Sequence, residues 1–211
     1  NISSKWKHGA IPALLIHGSI GTVYCWSILR TAIESCMGFP CRWAFSLAIF
    51  FLGISAAFLG PVIERNVKKS SLISACCFGL GMVLSGIACI IQSPMLLYLG
   101  YGVIMGIGLG IGYLSPVKTL MMWFKDNKGL ATGLAISGLG VAKVLGARGF
   151  RYFIDNFGIA ETFIFHGLLY FLVMLIAVNY LKKPEEESKE KLDIKTWLSE
   201  LKGIIRLPKI W

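Results

Sequence analysis

Residues 43–63 read WAFSLAIFFLGISAAFLGPVI, a run of 21 residues without a charged side chain. The hydrocarbon core of a bilayer is about 30 Å thick, and a helix needs roughly 20 apolar residues to cross it. Five more predominantly apolar segments of about this length occur, so the sequence predicts six spans, at about 10–30, 43–63, 72–92, 95–117, 130–149 and 161–181. Because a helix satisfies its own backbone groups in lipid, the sequence predicts an all-α membrane protein of six transmembrane helices.

The composition also favours a membrane protein over a soluble one. Of the 211 residues, 55% are hydrophobic and 15% are charged, whereas soluble domains carry about 25% charged residues. The net charge of +10 is explained by topology rather than by nucleic-acid binding, because most Lys and Arg residues fall on one side of the spans. The other side receives Arg30, Arg42, Arg148 and Arg151. We therefore expect both ends of this sequence in the cytoplasm, at a plasma membrane or a bacterial inner membrane, and no nucleic-acid partner.

The chain divides into a predicted bundle, residues 1–181, and a polar block, residues 182–211. The block opens with KKPEEE at 182–187, which cannot enter a membrane. Apolar residues then recur at helical spacing, at Ile194, Trp197, Leu198, Leu201, Ile204 and Ile205. This pattern predicts a cytoplasmic loop with an amphipathic helix that leads to a seventh span, or a plain connector to that span. The sequence is thus interpreted as a fragment.

Six spans can be arranged as two sets of three with opposite orientation, as in the inverted repeats of many secondary transporters. Channels also have six spans, so the number alone leaves the class open. Small residues at every fourth position allow helices to approach closely in lipid. We predict such packing for Gly102, Gly106 and Gly110 in the fourth span and for Gly129 and Gly133 in the fifth.

Candidate residues for chemistry are few. Three scattered histidines without a CxxC motif predict neither a metal site nor a cofactor, and no nucleophile–base pair falls in the spans, so we expect no enzymatic activity. His17 and His166 lie within spans, where each either hydrogen-bonds between helices or takes part in a proton relay. Cys36 and Cys41 share the first outer loop and can form a disulfide if that side is oxidising.

Lys143 lies about 15 residues into the fifth helix, roughly 20 Å from its start. A lysine at this depth either attracts an anionic substrate or extends to the outer interface near Arg148 and Arg151. The eleven acidic residues lie in loops, at span ends or in the polar block. The absence of a carboxylate at mid-span favours exchange or uniport over a proton relay.

The link between the second and third spans, GPVIERNVKK at 60–69, combines a glycine at a helix end with a cluster of charges. Glu64 and Lys68 are four residues apart and can pair if the stretch is helical. Such a cluster can latch neighbouring helices in one conformation. The latch residues are Gly60, Glu64, Arg65, Lys68 and Lys69. The link resembles the helix-two to helix-three loop motif of the major facilitator superfamily, although Glu64 and Val67 stand where Asp and Gly are usual.

Further motifs look like the oxalate:formate antiporter branch of that superfamily. They are GIGYLSPV at 110–117, WFKDNKGLATG at 123–133 and GTVYCWS at 21–27. The related monocarboxylate transporters share the second pattern but open with an acidic motif that is absent here. The resemblance covers residues 10–181. It implies the N-terminal half of a twelve-helix carrier, whose C-terminal half would be the partner of this chain in the bilayer.

The resemblance implies alternating access, in which two six-helix halves rock around a central site lined by helices one, two, four and five. Tyr24, Trp26, Tyr113 and Ser115 are then expected to face a small carboxylate, with Lys143 as a further candidate. The expected function is secondary active transport of a small organic anion by antiport. Proton-coupled monocarboxylate symport remains the alternative, and a six-helix oligomeric channel is the alternative of another class.

Overall fold

The computed structural model describes residues 2–184 and contains six long helices. Their bounds are α1, Trp6–Met37; α2, Trp43–Arg65; α3, Val67–Ile91; α4, Pro94–Trp123; α5, Lys128–Phe157; and α6, Ile159–Tyr180. Each helix is long and apolar enough to cross a membrane, so the predicted all-α, six-helix fold is confirmed. The amphipathic helix predicted within 182–211 falls on residues 185–211, outside the described residues.

Local signals in the sequence set where the helices end. Gly38 adopts φ 78° and terminates α1, and Gly158 with φ 97° separates α5 from α6. Asn66, Ser93 and Asn127 stand just before α3, α4 and α5, and each side chain accepts a hydrogen bond from the backbone N–H three residues on. These contacts satisfy backbone donors that a helix start leaves without a partner.

The helices pack as two related sets of three. Helix α1 packs on α5, and α4 packs correspondingly on α2. Helix α6 packs on α1, and α3 packs correspondingly on α4. Helices α3 and α6 pack on each other. Exchanging α1, α2 and α3 with α4, α5 and α6 leaves this set of neighbours unchanged. The packing therefore has the pairwise pattern expected for a three-plus-three repeat.

The first and fourth helices share an irregular start. A four-residue α-helical turn, Ile2–Lys5, leads into a wide π-helical segment, Trp6–Ala10, in α1. In α4 the turn Pro94–Leu97 leads into the π-helical segment Tyr98–Ile104. Helix α1 is further modified at Gly21–Cys25, which forms a tight 3₁₀ segment in its middle. Mid-helix segments of this kind often mark functional sites.

The glycines of α4 lie in close helix contacts. A methyl group built on Gly102 would lie 2.8 Å from Cβ of Leu47, and one on Gly106 would lie 2.8 Å from the carbonyl oxygen of Ala48. Gly110 lies equally close to α2, against Leu52 and Ser55. No side chain fits at these positions without moving α2, so these glycines set the distance between α2 and α4.

The glycines predicted to pack in α5 lie elsewhere. Gly129 and Gly133 are exposed, and a methyl group built on Gly133 would have no neighbour within 4 Å on any other helix of the described residues. The small residues that α5 does bury form a different stripe, which consists of Ala131, Ala135, Gly138, Ala142 and Gly146. Within the described residues, the contact of α5 with α1 uses this stripe, because the face that meets α1 is rotated away from Gly129 and Gly133, whose packing role stays a prediction.

Cys36 and Cys41 are free thiols in this structure. The Cys36 thiol donates to the carbonyl oxygen of Cys89 on α3 over 3.5 Å, whereas Cys41 is buried and donates to the carbonyl of Phe39. Burial raises the pKa of the Cys41 thiol, and the neighbouring negative charge of Glu34 adds to the effect. Both influences favour the thiol over the reactive thiolate.

Candidate functional site

The 3₁₀ segment of α1 places Tyr24 on an open face of the bundle. Gly21 allows the segment to lie against α5, since a methyl group there would be 2.7 Å from Cβ of Ala142. The Thr22 hydroxyl donates to the carbonyl of Ser19 at 2.8 Å and holds the tight turn. Tyr24, two residues later, keeps 44% of its surface exposed.

Tyr113 of α4 lies near Tyr24 and also remains open. The two phenol groups are within electrostatic range of each other, and Tyr113 is 37% exposed. One face of its ring stacks on the imidazole of His17, with ring centroids 5.6 Å apart and an interplanar angle of 13°. His17 thereby fixes the Tyr113 ring from behind, and the free edge of the phenol faces outward.

Lys143 reaches the same region from α5. Its side chain is exposed and lies within electrostatic range of the Cys25 thiol, and its backbone carbonyl accepts a weak hydrogen bond from that thiol at 3.5 Å. Cys25 follows Tyr24 directly. The 3₁₀ segment of α1 therefore lies beside α5 at Lys143, through Cys25, and near Tyr113 of α4, through Tyr24.

Two other sequence candidates lie inside the bundle instead. Trp26 is buried against Phe45 and Tyr101, with the Tyr101 ring centroid 4.9 Å away. Ser115 is fully buried, and its hydroxyl lies 2.6 Å from that of Ser71. Residues two apart in a helix point about 200° apart, so Trp26 cannot share the open face of Tyr24, nor Ser115 that of Tyr113.

An ion pair joins α2 and α4 at the end of the bundle that carries Trp6 and Tyr180, which we name the terminal face. Lys118 Nζ lies 2.9 Å from Glu64 Oε2. The predicted pair between Glu64 and Lys68 does not form, because the chain becomes extended at Asn66 and places the two residues on different helices. Lys68 instead donates to the carbonyl of Asn179 at the end of α6, at 3.3 Å.

The segment after α6 crosses the terminal face and ties three helices together. Lys183 Nζ donates to the carbonyl of Glu64 at 3.0 Å and to that of Arg65. The indole N–H of Trp123, at the end of α4, donates to the carbonyl of Lys182 at 2.7 Å. His8 of α1 hydrogen-bonds to the carbonyl of Tyr180 at 2.8 Å. Of the five predicted latch residues, Glu64, Arg65 and Lys68 belong to this group of contacts, and the role of the five as a latch stays a prediction.

Comparison with known proteins places this geometry in a family. The model of the Major Facilitator Superfamily matches residues 16–211. The chain belongs to this superfamily. The resemblance inferred from the loop and helix motifs is therefore confirmed, and the six helices form an integral membrane protein of a family that carries small molecules across lipid bilayers.

Individual superfamily members agree with the branch suggested by the motifs. The chain is 29% identical to an uncharacterized MFS-type transporter, YhjX, of Escherichia coli, over 95% of this chain and 50% of the relative. It is 24% identical to the oxalate:formate antiporter of Oxalobacter formigenes, over 100% of this chain and 50% of the relative. It is also 29% identical to mouse monocarboxylate transporter 14, over 60% and 24% of the two chains. The chain spans about half the length of the first two of these curated relatives.

Sequence reasoning missed several contacts of this superfamily member. Lys118, near the end of its span, is of the kind that extends to the membrane interface, yet it forms the ion pair with Glu64. Trp123 belongs to a recognised motif, but its hydrogen bond to residue 182 links positions far apart in sequence. His17 is recognisable in the sequence only as a polar residue in a span. The row of small residues in α5 that includes Gly138 is the sequence signal that would have indicated the close contact between α5 and His17.

Proposed function

We propose that this chain forms the N-terminal half of an alternating-access carrier for a small organic carboxylate. The observation that carries the proposal is the open face at the 3₁₀ segment of α1, where Tyr24 and the His17-stacked Tyr113 are exposed and Lys143 lies beside the adjoining Cys25. Phenol hydroxyls donate hydrogen bonds to carboxylate oxygens, and an ammonium group adds charge-assisted attraction. The names of the relatives, an oxalate:formate antiporter and monocarboxylate transporters, support the same substrate class.

The terminal face supports a mechanism with two packing states. The Glu64–Lys118 pair and the Lys183 contacts join the ends of α2, α4 and the segment after α6. Contacts of this kind are made or broken as a unit when helix bundles rock against each other. We assign the terminal face to the cytoplasm, because its Lys and Arg residues follow the positive-inside rule.

The remaining part of the site would come from a second six-helix half. The chain covers half the length of its relatives, and Tyr24, Tyr113 and Lys143 occupy exposed surface rather than a closed cavity. A carboxylate site between two halves would bury this surface and exclude water, which strengthens hydrogen bonds to the anion.

Exchange of two carboxylates is the transport mode we favour, because the five carboxylates of the described residues lie in loops or near helix ends, away from mid-span. Proton-coupled symport is the second candidate. A specific observation favours it: the buried His17 ring contacts α4 and α5 through both of its nitrogens.

Uptake of radiolabelled oxalate, formate and pyruvate into proteoliposomes, with the protein at its natural length, tests the proposal. Dependence on internal anion indicates exchange, whereas dependence on a pH gradient indicates symport. We expect Tyr113→Phe to lower the apparent affinity for substrate about fivefold and Lys143→Gln to lower it more, since neutral and charged hydrogen bonds contribute about 1 and 2 kcal/mol.

Tyr152→Phe is the matched control, because Tyr152 is an exposed tyrosine of α5 farther along the same helix. It should transport like the unsubstituted protein. Equal losses in Tyr152→Phe and Tyr113→Phe would argue against a site at Tyr113. Uptake that fails to saturate with any of the three anions would favour a channel and contradict the carrier.

A further inference from the structure

His17 is a fully buried histidine that connects three helices. It lies on α1 about 16 Å from Trp6 at 1.5 Å per residue, so it stands well inside the membrane span. Its Nδ1 atom is 2.9 Å from the carbonyl oxygen of Ala135 on α5, and its Nε2 atom is 2.9 Å from that of Tyr113 on α4. Gly138 allows this approach, since a methyl group there would lie 2.7 Å from Cβ of His17.

The two hydrogen bonds require more protons than a neutral ring has. A carbonyl oxygen only accepts, so each ring nitrogen must carry a hydrogen for both bonds to form. Neutral imidazole carries one, and then the lone pair of its other nitrogen faces a carbonyl oxygen at 2.9 Å. Only the imidazolium ion satisfies both contacts of His17.

The surroundings of His17 oppose the charged form in turn. The titratable group that touches it from α4 is Tyr113. On α5 the nearest are Lys128, seven residues before Ala135, and Lys143, eight residues beyond it, and on α6 Tyr170 faces α1 at Thr22. None of these is an anion, and a buried cation without a counter-charge is unfavourable. The neutral ring has one proton too few for its two hydrogen bonds, and the charged ring has no anion among these groups to balance its charge.

We propose that His17 takes up a proton when a carboxylate binds beside Tyr24 and Tyr113. The proton comes from water on the side to which the site is open and binds the ring nitrogen that lacks one, with no bond to the anion. The anion supplies the missing counter-charge from the exposed side of the Tyr113 ring, and the imidazolium forms both helix contacts. This inference rests on the proposed carboxylate site; in exchange the proton would enter and leave His17 with each anion, and in symport it would be carried across the membrane.

His166 offers a matched control on α6. It is also buried within a span, but the hydrogen bond of its ring, from Nδ1 to the carbonyl of Thr162 at 2.7 Å, needs a single proton. Its other neighbours are aromatic rings, of which that of Phe150 is 4.7 Å away. A neutral ring satisfies this environment, so His166 has no reason to titrate with substrate.

The test measures proton uptake on anion binding to the protein at its natural length, in weakly buffered detergent solution at about pH 7.5 with an indicator dye. Histidine is mainly neutral at this pH, while oxalate, formate and pyruvate are ionised. We expect about one proton per bound anion for the unsubstituted protein and for His166→Gln. We expect almost none for His17→Gln. In the unsubstituted protein the anion affinity should weaken roughly tenfold per pH unit above neutrality, and His17→Gln should remove this pH dependence.

A second measurement needs no substitution at His17. In ¹⁵N-histidine spectra of a variant that keeps His17 and has every other histidine of the natural-length protein replaced by Gln, both ring nitrogens of His17 should become protonated when a saturating anion is added. One unprotonated nitrogen in the bound state would overturn the inference, even if His17→Gln proves too unstable to purify.

The outcomes separate the two proposals. If the anions bind without proton uptake, or if His17→Gln takes up protons like the unsubstituted protein, the role of His17 is wrong and the carboxylate carrier stands. If none of the three anions binds or is transported, the carboxylate site itself is wrong, and the role of His17 falls with it.

Discussion

Helices α4 and α5 follow each other in the chain, yet they meet the rest of the bundle in different ways. In the most apolar 18-residue stretch of each helix, 61% of α4 is buried but only 28% of α5. The glycines of α4 lie against the backbones of α2 and α3, whereas Gly133 and Gly140 of α5 stand open. Helix α4 thus acts as the scaffold, and α5 presents a face that includes Lys143. A row of small residues therefore permits a close contact, and the neighbouring helix decides whether it is used.

The largest expected effect tests the buried side of this comparison. Gly106→Val would place side-chain atoms against the Ala48 carbonyl and Cβ of Phe51, 2.8 and 2.9 Å from the new Cβ. Because backbone atoms of α2 cannot move aside alone, we expect a loss of about 3 kcal/mol in stability. The thermal unfolding midpoint of the detergent-solubilised protein measures it.

Gly140→Val on α5 is its control, because nothing lies within 4 Å of the Cβ position in the described residues. It should leave the unfolding midpoint almost unchanged. Similar losses for the two valine variants would show that the α4 contact has no special weight and would remove the contrast between the helices.

An intermediate effect is expected where α5 does touch the bundle. Gly138→Ala places a methyl group 2.7 Å from Cβ of His17. We expect a loss of about 1–2 kcal/mol, smaller than for Gly106→Val, because alanine adds one methyl group where valine adds three carbon atoms. The same unfolding assay checks it, and an unchanged midpoint would mean that α1 and α5 are separated by more space than the Gly138 contact implies.

A smaller effect concerns the charged ends of the two helices. Lys118→Gln removes the ion pair between α4 and Glu64, which is partly exposed and therefore contributes about 0.5–1 kcal/mol. Lys128→Gln at the exposed start of α5 should have less effect on stability. We expect Lys118→Gln to change transport rate more than the unfolding midpoint, and comparing initial rates in proteoliposomes with the unfolding midpoint checks this. Equal rates for both variants would contradict a latch at Glu64.

The smallest effect has the opposite sign. Gly133→Ala on the open face of α5 should stabilise the protein by about 0.5 kcal/mol, since alanine favours helix more than glycine does. A small rise in the unfolding midpoint is the expected result. A clear drop would show that this face is closely packed in the folded protein at its natural length.

The six spans could be predicted because the signal is local: each needs only enough apolar residues in succession. Which face of each helix is buried could not be predicted, since it depends on a partner helix far away in sequence. Gly102 and Gly129 have the same spacing pattern, but within residues 2–184 Gly102 meets another helix and Gly129 does not. Likewise, motif membership identified the region around Tyr24 and Tyr113, but not that Trp26 and Ser115 turn inward.

The latch shows a further limit of sequence reasoning. An i,i+4 pair between Glu64 and Lys68 presupposes a continuous helix, and the extended backbone at Asn66 removes that condition. The residue types were correct for an ion pair, and the partner was wrong. A lysine 54 residues further on, Lys118, takes the place that Lys68 was expected to fill.

The paired irregular starts of α1 and α4 bear on ancestry. Pro94 follows Ile2 by 92 residues, and the start of α6, Ile159, follows the start of α3, Val67, by the same 92 residues. A wide turn found in both copies at equal spacing is the kind of detail that duplication of one three-helix unit transmits. The turn is then inherited from before the two copies diverged, and a role assigned to Trp6–Ala10 alone would also have to explain Tyr98–Ile104.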